Sequence, residues 1–307
     1  MSGSAERLVI TGAGGQLGGC LAALATDRGR DVLALTSSQW DITDPGAAEG
    51  IIANGDVVVN CAAYTDVDGA ESDEAGAYAV NAAGPEHVAR ACARAGARLI
   101  HVSTDYVFSG DFGDGEPRPY EPGDEADPRG VYARSKLAGE RAVLAALPEA
   151  SQGIVVRTAW VYTGGTGKDF VAVMRRLAAG HGPVDVVDDQ TGSPTYVADL
   201  AAALLQVADN RVPGPILHAA NGGEVSRFGQ ARAVFEECGA DPARVRPVST
   251  ARFPRPAPRP AYSALGGRQS TAAGLAPLRP WRDALVAALA ASLSTAAADR
   301  PIPSMRD

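Results

Sequence analysis

Short apolar runs alternate with longer Ala-rich stretches through the first half of the chain. Val, Leu and Ile concentrate in residues 7–12 (RLVITG), 31–36 (DVLALT), 56–62 (DVVVNCA), 98–104 (RLIHVST) and 153–159 (GIVVRTA). Each run is too short for a helix and apolar enough for a strand covered on both faces. Stretches such as 15–28 and 75–95 carry apolar residues on one side at helical spacing, as crossover helices do. The rhythm predicts an α/β fold built on a doubly wound, Rossmann-like parallel sheet. Past residue 165 it loosens into Gly-rich, Pro-rich and helical pieces, which reads as a smaller C-terminal lobe. The nucleotide-binding domain is expected over 1–165 and 194–222 and the lobe over 166–193 and 223–293, with a flexible tail at 294–307.

Composition narrows the classes. With 307 residues and 46% hydrophobic content the chain can bury a large core, and a net charge of -8 opposes nucleic acid and anionic membranes as partners. No apolar run reaches the ~18 residues of a membrane span, and the start passes into a strand without a signal-peptide pattern, so a cytoplasmic location is expected. Cys20, Cys61, Cys92 and Cys238 have neither CxxC spacing nor a nearby histidine pair. They read as buried small hydrophobes, and no metal site is expected.

The first strand runs into TGAGGQLGG, which places Gly12, Gly15 and Gly18 where a tight turn meets a helix N-terminus. That combination suits a pyrophosphate. The second strand ends in Thr36, Ser37 and Ser38 rather than in the carboxylate that reads a ribose 2'-hydroxyl. Hydroxyls tolerate a 2'-phosphate, so NADPH is expected over NADH. Asp41, with Ile42 after it, lies where it could accept from the adenine amino group; a turn or helix cap is the other reading.

Tyr132 and Lys136 are four residues apart in GVYARSKLAGE, and Lys136 is one of only two lysines against 26 arginines. Random placement would give about 0.05 such pairs. An arginine cannot shed its charge and fits poorly beside a ribose. A compact ammonium there can bind ribose hydroxyls and lower the pKa of a phenol that protonates an alkoxide. Thr104, with Ser103 as the alternative, ends the fourth strand where a hydroxyl could bond a substrate carbonyl.

The segments TGAGGQLGG, VVNCAAYTDVDGAE, HVSTDYVFSG, YARSKLAGE, RTAWVYTG and DDQTGSPTYVADLA, in that order, resemble the dTDP-4-dehydrorhamnose reductase family of extended short-chain dehydrogenases/reductases. The resemblance runs from about residue 7 to 293. It implies reduction by NADPH of the 4-keto group of a dTDP-linked 4-keto-6-deoxyhexose, with Thr104, Tyr132 and Lys136 as the catalytic set. Gly12, Gly15, Gln16, Leu17 and Gly18 would receive the pyrophosphate, and Ala62, Ala63 and Tyr64 would line the cofactor cleft. Val67, Asp105, Tyr106 and Trp160 would surround the sugar. Lys168, read by itself, is either a point charge that meets the substrate diphosphate or an exposed loop lysine. Gly19 and Cys20 stand where some members carry a carboxylate of a metal-bound dimer, so a monomer or weak homodimer is expected. Asp169 replaces an Asn common in relatives. Two other functions remain open at this point: a 4-epimerase or dehydratase of the same superfamily, and a non-catalytic nucleotide-binding regulatory subunit.

Overall fold

A computed structural model describes residues 6–149, 151–165, 167–210 and 212–298, with side chains to residue 292. Strands β1 (Leu8–Thr11), β2 (Val32–Leu35), β3 (Val57–Asn60), β4 (Arg98–Thr104) and β5 (Gly153–Thr158) fall within the five apolar runs. They form one parallel sheet with a sixth strand supplied from beyond residue 200. Helix α1 (Gln16–Asp27) crosses from β1 to β2. After β3 come α2 (Glu74–Tyr78), a π-helical turn at Ala79–Ala83 and α3 (Gly84–Ala95), which succeed one another without a loop. Helix α4 (Gly130–Ala146) precedes β5.

Alternation along the strands sorts side chains to two cores. Leu8, Ile10, Val57 and Val59 face α1, whereas Val9, Val58 and Leu99 pack with Val88 and Cys92 of α3 and Val143 of α4. Beyond β5 follow β6 (Val161–Tyr162), α5 (Phe170–Ala178), β7 (Val184–Val187), β8 (Thr191–Gly192), β9 (Thr195–Tyr196) and α6 (Val197–Asn210). Helix α6 returns to the sheet, seating Leu200 and Leu204 in the first core beside α1. The sixth strand, β10 (Ile216–His218), lies against β5.

The chain then forms β11 (Val225–Ser226), α7 (Arg227–Glu237), β12 (Val245–Val248), α8 (Arg268–Ala272) and α9 (Trp281–Ala298). Met174, Val186, Phe235, Val245 and Leu285 share a separate core. Helix α9 extends past Ser294 to Ala298, into the segment expected as a tail. The rest of that tail, 299–307, lies outside the described residues.

The strand order β10-β5-β4-β3-β1-β2 reverses direction of travel between β1 and β3. A crevice opens at the carboxyl ends of strands where such a reversal occurs. There Gly12 has φ +65°, and a Cβ on it would stand 2.7 Å from the Ala62 nitrogen. Only glycine permits that approach of the two loops. Below them, Thr11 Oγ1 donates to Asn60 Oδ1 at 2.6 Å and Asn60 pairs with His101 at 3.1 Å, a polar rung across three buried strands.

Candidate active site

The glycine loop delivers the chain into α1 with Gly15 as a cap lacking a side-chain acceptor and no acidic residue in the first turn. Gly14, Gly15 and Gln16 are exposed. The first N–H groups of α1 therefore present positive partial charge to an anion at the crevice. At the end of β2, Thr36 Oγ1 bonds Ser38 Oγ and Gln39 Oε1, both at 2.9 Å, and Ser37 and Ser38 are exposed. This hydroxyl-rich end, with no carboxylate on it, is compatible with a 2'-phosphate. The donor set fits a phosphorylated dinucleotide.

Asp41 closes a turn, its Oδ1 accepting from Thr43 N at 2.9 Å and Thr43 Oγ1 at 2.7 Å, which lowers its pKa. The Ile42 side chain is in the core under α3, so only its backbone could face a cofactor. Tyr64 is tied to the π-helical turn through Asn81, whose Oδ1 accepts from Tyr64 N at 2.9 Å and whose Nδ2 donates to Tyr64 O at 3.1 Å. Asn81 Nδ2 also donates to Ser135 Oγ on α4 at 3.1 Å, joining the cleft loop Ala62–Tyr64 to the reacting helix.

Helix α4 starts at Gly130 with no cap from its own flank; instead Glu71 Oε1 accepts from Val131 N at 2.8 Å. Its next turns carry Tyr132 and Lys136 beneath the end of β4. Lys136 is 2% exposed and donates to Val102 O at 2.8 Å. Burial lowers its amine to about 8. The Tyr132 ring meets that of Tyr106 edge-on with centroids 5.8 Å apart.

The expected acidification of the phenol is not what the geometry produces. Burial raises the Tyr132 pKa above its ordinary value, the neighbouring Thr104 hydroxyl opposes that rise, and the charges of Asp105 and Tyr106 add to it. One N–H of Lys136 is given to a backbone carbonyl, and its charge also acts on His101 and Cys61. The hydroxyl proton of Thr104 goes to Asp105 Oδ1 at 3.0 Å, and its oxygen accepts from Tyr106 N at 3.2 Å. Ser103 Oγ is buried without a hydrogen-bond partner among the described residues.

Asp105 is 2% exposed, and burial raises its carboxyl to about 6 although hydroxyls of Ser263 and Thr104 and the charge of Arg227 oppose the rise. Trp160 has φ +47°, the only positive value on a non-glycine among the described residues, and Arg227 stacks on its ring. One ring face intended for a sugar is thus already covered. Val67 is half-buried beside Asp68, which receives a two-pronged bond from Arg259 at 2.8 and 3.0 Å. Lys168 is exposed, on a loop whose Gly167 adjoins Gln16. Asp169 caps α5, accepting from Ala172 N at 3.0 Å, and accepts from Thr163 Oγ1 at 2.8 Å.

Sequence reasoning missed Arg227, Arg259, Ser263 and Glu140. Only Glu140 left a signal, since it follows Tyr132 and Lys136 at the same four-residue spacing; it is buried and bound to Arg157. Of the four thiols expected to be buried, Cys92 is, Cys20 and Cys61 are half-buried, and Cys238 is exposed.

A family model described as the RmlD substrate binding domain matches residues 6–294. A dTDP-4-dehydrorhamnose reductase of Mycobacterium tuberculosis is 77% identical over 307 residues, covering 100% of each chain. One of Mycolicibacterium smegmatis is 60% identical, covering 98% of this chain and 90% of its own. The dTDP-4-dehydrorhamnose reductase of Bacillus anthracis, solved in complex with NADP, superposes with TM-score 0.84 at 35% identity, over 92% of this chain and 97% of that one. A family model over nearly the whole chain and relatives this similar along their full length show that the chain belongs to the dTDP-4-dehydrorhamnose reductase family.

Proposed function

We propose that the chain reduces the 4-keto group of a dTDP-linked 4-keto-6-deoxyhexose with NADPH, and that Thr104, Tyr132 and Lys136 carry the reaction. The observation that supports the residue assignment is the placing of Tyr132 one helical turn from the buried Lys136 ammonium, which bonds Val102 O of the strand that ends in Thr104. The NADP bound to the Bacillus anthracis relative supports the cofactor.

When bound, the reduced nicotinamide supplies a hydride to C4 of the sugar. Tyr132 supplies the proton. Its raised pKa keeps the phenol protonated at neutral pH, until an oxygen that has become a stronger base takes the proton. Lys136 holds ribose hydroxyls as a point charge and stabilises the phenolate left behind. Gln16, Leu17 and Gly18 offer backbone N–H groups to the pyrophosphate, while Val67, Tyr106 and the open side of Trp160 flank the sugar. Lys168 meets the substrate diphosphate from its exposed loop.

The protein works as a cytoplasmic monomer or weak homodimer, without nucleic acid or membrane partners. No helix among the described residues is long and apolar enough to cross a membrane. Light scattering across a concentration series tests the oligomeric state.

The decisive assay follows NADPH absorbance with a dTDP-4-keto-6-deoxyhexose. Stoichiometric oxidation is expected, with Tyr132→Phe losing ~100-fold or more in turnover at unchanged NADPH affinity. Substrate conversion with no net NADPH consumption would mean an epimerase or dehydratase, and no conversion at all a regulatory subunit.

A further inference from the structure

The start of α4 is held from outside the helix. Its flanking residue Arg129 gives no side-chain cap, and Glu71, 60 positions away along the chain, supplies the acceptor for Val131 N at 2.8 Å. Gly130, with φ +80°, is wedged at the same point: a Cβ on it would stand 2.8 Å from Glu71 Oε1 and 3.2 Å from Pro258 Cδ. Glu71 ends the 3-10 turn Gly69–Glu71 that Asp68 begins, with Glu71 N donating to Asp68 O at 3.2 Å. The other end of this turn meets the C-terminal segment, where Asp68 takes Arg259 at 2.8 and 3.0 Å and Ala257 N at 3.2 Å. Between the two ends, Ala70 is fully buried in a small cluster with Val131, and Tyr132 packs against that cluster.

We propose that Glu71 and Asp68 are positioning residues for the proton donor: Glu71 fixes the first turn of α4, where Tyr132 stands, and Asp68 fastens the same 3-10 turn to residues 257–259 of the C-terminal segment. Tyr132 is the third residue of α4 and so lies in the turn that frays when a helix loses its cap. A phenol displaced by ~1 Å loses much of its rate, because proton transfer needs hydrogen-bond reach of the developing alkoxide. Val67 directly precedes Asp68 in the chain, so one turn holds the proton donor beside the proposed sugar wall. The inference rests on the assignment of Tyr132 as proton donor.

A cap that acts through Tyr132 lowers kcat, leaves cofactor affinity alone and has nothing further to remove once the phenol is gone. Glu71 is exposed, so its carboxylate can be changed without opening the core. The test assays Glu71→Ala, Glu71→Gln and Asp68→Asn, each alone and combined with Tyr132→Phe, with a dTDP-4-keto-6-deoxyhexose and NADPH, and follows NADPH binding by fluorescence as the check on folding. Glu71→Ala is expected to lose ~10-fold in kcat, with KM for the sugar within ~3-fold and NADPH affinity unchanged. Glu71→Gln keeps an acceptor oxygen for Val131 N and is expected to hold kcat within ~2-fold of wild type. Asp68→Asn is expected to lose roughly 3-fold in kcat, and no variant to add to the loss caused by Tyr132→Phe.

An unchanged kcat in Glu71→Ala, a loss confined to KM, a Glu71→Gln enzyme as slow as Glu71→Ala, or a further loss in the Tyr132→Phe background would each overturn the proposal. Should Glu71→Ala not bind NADPH, Asp68→Asn, which loosens the same turn from its other end and leaves the cap acceptor in place, gives the same kcat, KM and double-variant readings. A Tyr132→Phe enzyme as fast as wild type would fail the proton-donor assignment and the proposal with it, whereas wild-type enzyme that leaves the keto sugar untouched would fail the reductase reading itself.

Discussion

The guanidinium carbon of Arg227 sits 3.4 Å from the centre of the Trp160 ring and 5.0 Å from that of Phe170. Desolvation lowers the Arg227 pKa to about 10, with Tyr106 and Asp105 as its main favourable neighbours. A half-buried cation beside the proposed sugar site would attract an anionic substrate. Arg227→Gln is expected to raise KM for the dTDP sugar ~10-fold with NADPH affinity unchanged. Equal effects on both ligands would show instead that the cleft had collapsed.

Burial of Lys136 comes at a cost to stability. Its amine falls to about 8 in the fold from an ordinary 10.5. Below pH 8 both the folded and unfolded chains carry the proton, and the folded one bears a penalty of about 3 kcal/mol. That penalty vanishes as pH rises from about 8 toward the unfolded pKa. Lys136→Met is therefore expected to be inactive yet melt higher than wild type at pH 7, with the gap closing by about pH 10. A lower melting temperature at pH 7 would contradict this.

Beneath Lys136, Arg157 Nη2 reaches Glu140 Oε2 at 2.7 Å with the two side chains 3% and 2% exposed. Removing one partner strands the other charge in the core. Arg157→Met is expected to destabilise the fold by about 3–5 kcal/mol, and Glu140→Leu with Arg157→Leu together to recover much of it. Urea unfolding of the two variants measures both; equal losses would mean that packing and not charge governs the site.

Gly12→Ala forces a methyl to within 2.7 Å of the Ala62 backbone, at a φ of +65° that an L side chain rarely adopts. Either the β1 and β3 loops separate or the chain strains, at a cost of about 1–3 kcal/mol. NADPH affinity is expected to fall at least ~10-fold as the crevice deforms. Calorimetric titration with NADPH reads this directly, and unaltered affinity would place the pyrophosphate elsewhere.

Much of this was legible in the chain itself, because it is written in local periodicity and spacing. Five strands and the crossover helices follow from apolar runs that must be buried on both faces. The GxxGxxG turn follows from backbone geometry that no other residue tolerates, and the Tyr132 and Lys136 pair from helical spacing. Side-chain partners over long separations leave no such trace. Ser263 reaches Asp105 across 158 positions and Arg259 reaches Asp68 across 191, and neither pair has a local pattern.

Electrostatic balance was likewise undecided until the fold existed. A lysine four residues after a tyrosine suggests an acidified phenol, but burial raises Tyr132 and directs Lys136 to a carbonyl. The order of residues therefore determined the sheet, the helices and the chemical groups offered to its rim. Packing decided which proton each group holds, since desolvation and hydrogen-bond direction depend on distances that only the folded chain sets.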